Sequence, residues 1–518
     1  MKETVEIEVN PLEFSDGERL KRIAAKKAGI NPEDVACLRL LRKSLDARKN
    51  PVYRLRFLVS TDYEEERPIE RNYRDVSNAE SVIIVGAGPC GLFAALTLLE
   101  CGLKPVIVER GRSVSERKKD IAMIARNVSF NEDSNWCFGE GGAGTFSDGK
   151  LYTRSNKKGS IEQVLETFVR HGADRSILTE AHPHIGTDRL SGIIKNIRHT
   201  ITSCGGEYHF NSRVVDFIVR DGRVCGVRLA SSETIEARAV ILSTGHSARD
   251  IYELFHHRGW LLEPKPFAMG VRVEHSQQMI NRVQYNNSKY MSVLPPASYS
   301  LACNIGSRGV FSFCMCPGGM IIPSSTERNS LVVNGMSSSG RCSPFANSGI
   351  VVSVTEKDAY QYVSYGALSL MKFQQQCEKT MYIRNQTAPA QKISDFMNGR
   401  VSSHLNPSSY PSGLRSCNMN ELLPDFVSAS LKKGFALFDR KIKGFISSEA
   451  MLVGLESRTS SPVRIPRDGV TLQYPQLKNL YPCGEGAGYA GGITSSAMDG
   501  INTARRLAFN LSEKIDQL

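Results

Sequence analysis

An apolar run that breaks on three glycines and resumes as a helix constrains this chain more than any other feature. It reads Ser81-Val-Ile-Ile-Val-Gly-Ala-Gly-Pro-Cys-Gly-Leu-Phe-Ala-Ala, and Pro105-Val-Ile-Val-Glu-Arg follows. The pattern predicts a buried strand, a tight turn, a helix from about Pro89 to Cys101, and a second strand closed by an acid. Gly86 permits the turn, Gly88 lets backbone approach a pyrophosphate, and Gly91 lets helix and strand pack closely. The helix that starts at Pro89 aims free N–H groups and a positive dipole end at phosphates. Glu109 stands about twenty residues on, where a carboxylate accepts from both ribose hydroxyls and repels a 2′-phosphate, and Arg110 follows it. Three such glycines also occur in ordinary turns. Together with the strand, the helix and the spaced acid they point to a dinucleotide, FAD or NAD rather than NADP.

At 518 residues the chain has material for about two to four domains. No apolar run is long enough to span a bilayer, and Met1-Lys-Glu-Thr-Val-Glu is too charged to open a signal peptide, so the expectation is a soluble, cytoplasmic protein. The 13 cysteines are an odd number, spread along the chain without a C-x-x-C pair, which favours reduced thiols and gives zinc no ligand set. The net charge of +12 has no long basic block interleaved with aromatics, so it reads as a solvated surface.

The first segment reads as a separate module. Val5-Glu-Ile-Glu-Val alternates like a strand, Ser15 to Ala28 reads as a capped helix, and Val35 to Lys43 and Tyr53 to Ser60 offer two more strands. The charged stretch from Asp62 to Asp75 is the expected linker.

After the second strand of the fingerprint comes a glycine-rich loop, Asn135-Trp-Cys-Phe-Gly-Glu-Gly-Gly-Ala-Gly-Thr-Phe-Ser-Asp-Gly-Lys-Leu. Its glycines build neither a stable helix nor a strand, and its aromatic residues suit no ordinary surface loop. Gly142, Ala143 and Thr145 are therefore candidates to line a cofactor. Farther on, the Asp221-Gly222 turn marks a hairpin whose strand offers Val215, and Glu236 to Leu242 reads as a buried strand ending near Thr244-Gly245.

Near the C-terminus stands Asn479-Leu-Tyr-Pro-Cys-Gly-Glu-Gly-Ala-Gly-Tyr-Ala-Gly-Gly-Ile-Thr-Ser-Ser-Ala-Met-Asp-Gly. This run resembles the C-terminal FAD motif of flavoproteins with two dinucleotide folds. The resemblance implies that Gly484 and Glu485 approach the ribityl chain, and that a helix starting at Gly492, Ile493 and Thr494 points its N-terminus at the flavin. It also implies that the hairpin and Thr244-Gly245 contact the nucleotide. The cofactor expected is FAD.

Further runs resemble the uncharacterised bacterial FAD-dependent dehydrogenases, a family of NAD(FAD)-utilising dehydrogenase-like proteins. They are Lys43-Ser-Leu-Asp-Ala-Arg-Lys, Gly141 to Leu151, His184-Ile-Gly-Thr-Asp-Arg-Leu, Phe313-Cys-Met-Cys-Pro-Gly-Gly and Glu456-Ser-Arg-Thr-Ser-Ser-Pro-Val-Arg-Ile. The resemblance implies an α/β fold. Its FAD-binding Rossmann-like domain takes residues 76–250 plus 465–518. An α+β substrate domain is inserted over 251–464, and residues 1–75 form a small ferredoxin-like α+β domain.

Candidate catalytic groups are fewer. Cys314 and Cys316 flank one residue in a strand-like run, so alternation places both thiols on one face, as a redox pair or as buried apolar groups. His184 suits acid–base work near neutral pH, or closes a turn. Arg458 can clamp an anion bidentately or anchor a loop. A second nucleotide fingerprint is missing, so an electron donor binds transiently, binds through the substrate domain, or is the substrate itself. The expectation is an FAD-dependent dehydrogenase or reductase of a small, anionic substrate, served by a transient NAD(P)H or protein electron donor, with no membrane and no nucleic acid. A flavin-dependent tRNA-modifying enzyme and a non-catalytic flavin redox sensor are the alternatives.

Overall fold

Alternating Val5, Ile7 and Val9 bury one face of β1 (Lys2–Val9), onto which α1 (Gly17–Ala28) lays Leu20, Ala24 and Ala28. The Asp16 carboxylate, not Ser15, caps this helix by accepting from Arg19 N at 2.9 Å, and Gly29 ends it at φ 70°. With β2 (Cys37–Asp46) and β3 (Val52–Ser60) the module makes an antiparallel sheet of order β1-β3-β2. This is the β-α-β-β part of a ferredoxin-like arrangement. Lys43 ties its edge to the rest of the chain: its N–H donates to Thr179 O at 2.7 Å and its carbonyl accepts from Ala181 N at 2.9 Å. The computed structural model describes residues 1–65, 69–152, 159–286 and 288–512. Residues 66–68 of the expected linker and 513–518 of the expected FAD-binding segment lie outside them.

The fingerprint strand is β4 (Ser81–Val85), followed by α2 (Pro89–Cys101), β5 (Lys104–Val108) and α3 (Val114–Ala125). Two more helices, α4 (Ile161–Arg170) and α5 (Thr187–Ser203), precede β6 (Glu207–His209). A three-stranded antiparallel unit follows, of β7 (Val214–Arg220), β8 (Arg223–Leu229) and β9 (Thr234–Glu236). Asp221 and Gly222, at φ 48° and 70°, form its left-handed two-residue turn. Strands β10 (Ala239–Leu242) and the late β22 (Leu480–Pro482) complete a parallel sheet of order β22-β10-β4-β5-β6. Its middle strands are apolar on both faces because α2, α5 and the final helix cover one side and the β7-β8-β9 unit, with the helix after β10, covers the other. On one side α2 crosses the final helix so closely that a Cβ at Gly500 would stand 2.2 Å from Cys90 O.

Between β10 and β22 the chain builds a second body. It leaves through α6 (Arg249–His257), and β11 (Glu263–Pro264) pairs antiparallel with β21 (Val463–Arg464) to make the neck. The body holds β12 (Phe267–Ser276), α7 (Gln277–Gln284), β13 (Ala302–Ile305), β14 (Arg308–Cys316), β15 (Met320–Pro323), β16 (Val333–Met336) and β17 (Phe345–Val354). It continues with α8 (Ser369–Thr380), β18 (Ala388–Lys392), α9 (Ile393–Met397), β19 (Leu414–Ser416), α10 (Met419–Leu422), α11 (Asp425–Lys441) and β20 (Met451–Glu456). Seven of these strands form a mostly antiparallel sheet of order β13-β14-β17-β12-β20-β18-β19. Val427, Leu431, Phe435 and Phe438 of α11 are buried in the same apolar core as Val310 of β14 and Ile350 of β17. After β22, α12 (Ile493–Ser512) closes the chain against α2. Among the described residues no helix is long and apolar enough to cross a membrane.

Candidate functional site

A cavity of about 700 Å³ runs from the fingerprint turn to the face of β14. At the turn, Gly86 has φ 104° and its N–H donates to Val108 O at 2.8 Å; a Cβ there would stand 2.6 Å from Ser243 O. Gly91 does not line the cavity. A Cβ on it would stand 2.0 Å from Gly86 O, so its part is the close crossing of α2 over β4. Gly88 caps α2 with extended backbone and no side-chain hydrogen bond, which leaves the first N–H groups of the helix open to the cavity.

Glu109 is buried and engaged. Its Oε2 accepts from Ala87 N at 2.8 Å, and its Oε1 accepts from Gly111 N and Gly139 N at 2.9 Å each. A carboxylate has about four acceptor positions, so one is left toward the cavity it lines. The same side chain thus joins the fingerprint turn to the glycine loop. Arg110 lies over the Phe138 ring at 4.1 Å and is paired with Asp133 and Asp250 at 2.6 and 3.0 Å.

The glycine loop owes its path to a residue that the sequence left unmarked. Arg117 of α3 is fully buried and donates to the carbonyls of Asn135, Trp136, Gly139, Glu140 and Gly142 at 2.7–3.2 Å. Burial lowers its pKa to about 10. Gly142 and Ala143 line the cavity, whereas Thr145 is buried beneath it and donates to Glu140 O at 3.3 Å. On β7 it is Val214 that faces the cavity, not Val215, because strand alternation turns the next side chain away.

Thr244, Gly245 and Glu485 line the cavity; Gly484 does not. Its N–H donates to Asp499 Oδ2 at 2.8 Å, and a Cβ on it would stand 2.9 Å from the Cβ of Cys90. Burial pushes the Glu485 carboxyl up to about 7, with Lys265 opposing. Gly492, Ile493 and Thr494 bring the N-terminus of α12 to the cavity, and Thr494 Oγ1 donates to Leu151 O at 2.7 Å.

The two cysteines part company. Cys314 has φ 42° and sits at a register shift between Phe313 and Cys316, so the alternation expected to put both thiols on one face fails there. Cys314 opens to the cavity; Cys316 is buried and its thiol donates to Cys314 O at 3.2 Å. Protein packed round the cavity wall pushes the Cys314 thiol up to about 11, and burial takes Cys316 to about 12. Beneath them Arg272, with no exposed surface, donates from both terminal nitrogens to Cys314 O at 2.8 and 3.1 Å. Its Nε lies 2.9 Å from Glu456, a close ion pair without hydrogen-bond alignment. The guanidinium thereby holds the left-handed backbone of Cys314 in place.

His184 is not at the cavity. Its Nε2 is buried without a hydrogen-bond partner, 3.8 Å from Asp148 Oδ1, and burial and Arg341 lower its pKa to about 4. Arg458 reaches the cavity wall fully engaged: Nη1 donates to Ser247 Oγ and Thr326 Oγ1 at 2.9 and 2.6 Å, and Nε and Nη2 donate to Glu378 at 3.2 and 3.0 Å. Arg249 donates to both oxygens of the same carboxylate at 2.9 Å. Burial would raise Glu378, but the two guanidiniums bring it down to about 2. His246 lines the cavity beside this network, accepting from or donating to Ser247 Oγ at 2.8 Å, and burial with Arg458 lowers it to about 3. Its place directly after Thr244-Gly245 was the signal that could have found it.

Residues 79–127 match the FAD binding domain family, 266–459 match the FAD-dependent protein, C-terminal domain-like family, and 1–60 match a domain of unknown function. An uncharacterised protein of Clostridium beijerinckii is 38% identical over 513 residues, which cover 94% of this chain and 95% of that one. The chain belongs to the family of this clostridial protein. A dual trans-enoyl reductase/FAD-dependent monooxygenase of Aspergillus terreus is 28% identical over 187 residues, 34% of this chain and 23% of the fungal protein. Among solved structures, CtdE in complex with FAD is 11% identical with a TM-score of 0.35, over 83% of this chain and 84% of that one.

FAD is the cofactor of this family member, and the cavity fits it. The turn at Gly86 and the facing glycines Gly88 and Gly142 form a cradle that side chains would fill, under the uncapped N-terminus of α2.

Proposed function

We propose that this flavoprotein is an FAD-dependent dehydrogenase or reductase of a small-molecule substrate. One observation carries the reading: the cavity is continuous from the open N-terminus of α2 to the face of β14. Bound FAD supplies a two-electron acceptor and donor.

The chain's own residues bind, orient and move protons. The glycine turn, Glu109, Arg110, Gly142 and Ala143 hold one end of the cofactor, and Thr244, Gly245, Glu485 and the start of α12 hold the other. The free N–H groups of α12 favour negative charge beside them. Glu485, with its pKa near 7, exchanges a proton in the physiological range, whereas His246 stays neutral. Lys150, Ser312, Cys314 and Asn334 face the substrate. A transient NAD(P)H or protein electron donor suits a chain with one nucleotide fingerprint. Arg110 and Arg458 at the cavity are ion-paired, which disfavours the tRNA-modifying alternative.

The test is anaerobic mixing of FAD-loaded protein with NADH, NADPH and a panel of small organic donors. Bleaching of the flavin absorbance is the expected result. A flavin inert to all of them overturns the enzyme reading in favour of a sensor.

A further inference from the structure

The β14 end of the cavity carries a surplus positive charge that no part of the cofactor reading uses. Lys150 sits on a strap fixed on both sides: Leu151 N donates to Pro183 O at 2.9 Å, and Thr187 Oγ1 donates to Thr145 O at 2.8 Å. With the backbone so held, the Lys150 side chain crosses to the second body, where its ammonium donates to Met315 O and stands 3.4 Å from Asp148 Oδ2. It lines the cavity and is 39% exposed there.

Asp148 does not neutralise Lys150 alone. Its carboxylate also accepts from Ser337 Oγ and meets Arg341 at 3.4 Å. The neighbouring His184 is neutral at physiological pH because burial lowers its pKa to about 4. Two cations therefore share one carboxylate. Below, Arg272 and Glu456 balance each other. The other groups at this end, Ser312, Cys314 and Asn334, are neutral, and Asp148 is the one acid among the described residues that lines it. An ammonium has three donors; Met315 O takes one, and Asp148 at 3.4 Å is a charge partner without a hydrogen bond.

We infer that Lys150 binds the carboxylate of a small monocarboxylate substrate at the β14 end of the cavity, with Ser312 and Asn334 as neutral hydrogen-bonding partners. One unpaired positive charge matches one negative charge; a phosphate dianion would need a second. The inference rests on the reading that this end takes the substrate.

The experiment measures binding to oxidised, FAD-loaded protein by calorimetry and by the flavin difference spectrum, without turnover. Benzoate is compared with benzamide and phenyl phosphate, and propionate with propionamide. The carboxylate is expected to bind at least about tenfold tighter than its amide in one pair. Lys150→Met and Lys150→Gln should each weaken it about tenfold or more with FAD content and melting temperature kept, and Lys150→Arg should retain part of the affinity. No preference for carboxylate over amide in either pair, phenyl phosphate binding tighter than benzoate, or unchanged affinity in the folded Lys150 variants overturns it. A flavin that no donor reduces would sink the redox reading and leave this binding result standing.

Discussion

A Cβ on Gly142 would stand 3.0 Å from the Cα of Gly88, so the glycine loop and the fingerprint turn meet backbone to backbone. Gly88 leaves Gly142 little room for a side chain, and together they frame the wall of the cavity.

Gly142→Ala should therefore lower cofactor retention more than it lowers folding. The residue has φ 60°, which costs about 1 kcal/mol or more for alanine, and the neighbouring Cα cannot yield without shifting the turn. The ratio of FAD to protein after purification, read beside the melting temperature, checks this; full FAD content would count against the cradle.

Arg117→Lys is expected to destabilise the protein strongly. Lysine cannot serve the five carbonyls that the guanidinium bonds, and a buried cation with unmet partners costs about 3–5 kcal/mol. Urea unfolding of both forms measures the difference, and a loss under about 1 kcal/mol would assign the loop's path to other contacts.

Stability should fall as the medium is acidified below pH 6.5, in part through His275. The ring is buried, its Nε2–H donates to Phe445 O at 3.0 Å, and burial lowers its pKa from 6.5 to about 4. Between those values the unfolded chain binds the proton and the folded chain does not, so stability is lost as pH falls through this window, by at most about 1.4 kcal/mol per pH unit. His275→Gln should flatten the slope between pH 6.5 and 4 in unfolding titrations.

Alkylation should separate the two cysteines of β14. In the native apoprotein a maleimide is expected to modify Cys314, slowly at neutral pH and faster as pH approaches 11, and to spare Cys316. Peptide mass spectrometry reads both sites; equal labelling would mean that the register shift does not hold them apart.

Much of the nucleotide-binding body was legible because its signals are local. The run before Gly86, the helix after it and the Asp221-Gly222 turn each act over a few residues, and the late run from Asn479 was read by its resemblance to a flavoprotein motif. Steric demands on glycine and the alternation of buried strands reach no farther. The candidate site was legible only in part. Val215 was one residue from the lining position on its strand, and the alternation assumed for Cys314 and Cys316 is broken where Arg272 claims the Cys314 carbonyl. Arg117 carries no local mark at all, since one arginine in a helix looks alike whether solvated or buried under five carbonyls.

The sequence by itself determined the strand–turn–helix that receives a dinucleotide, and its resemblances implied that a late segment of the chain returns to the same body. Only the tertiary structure decided which charges meet. Asp148, two residues from Lys150, also meets the distant Arg341, and Glu378 lies between Arg249 and Arg458, both far from it along the chain. The physical reason is range. Glycine geometry and strand burial are properties of neighbouring residues, whereas the ionisation and partnering of a buried side chain depend on whatever the fold packs around it.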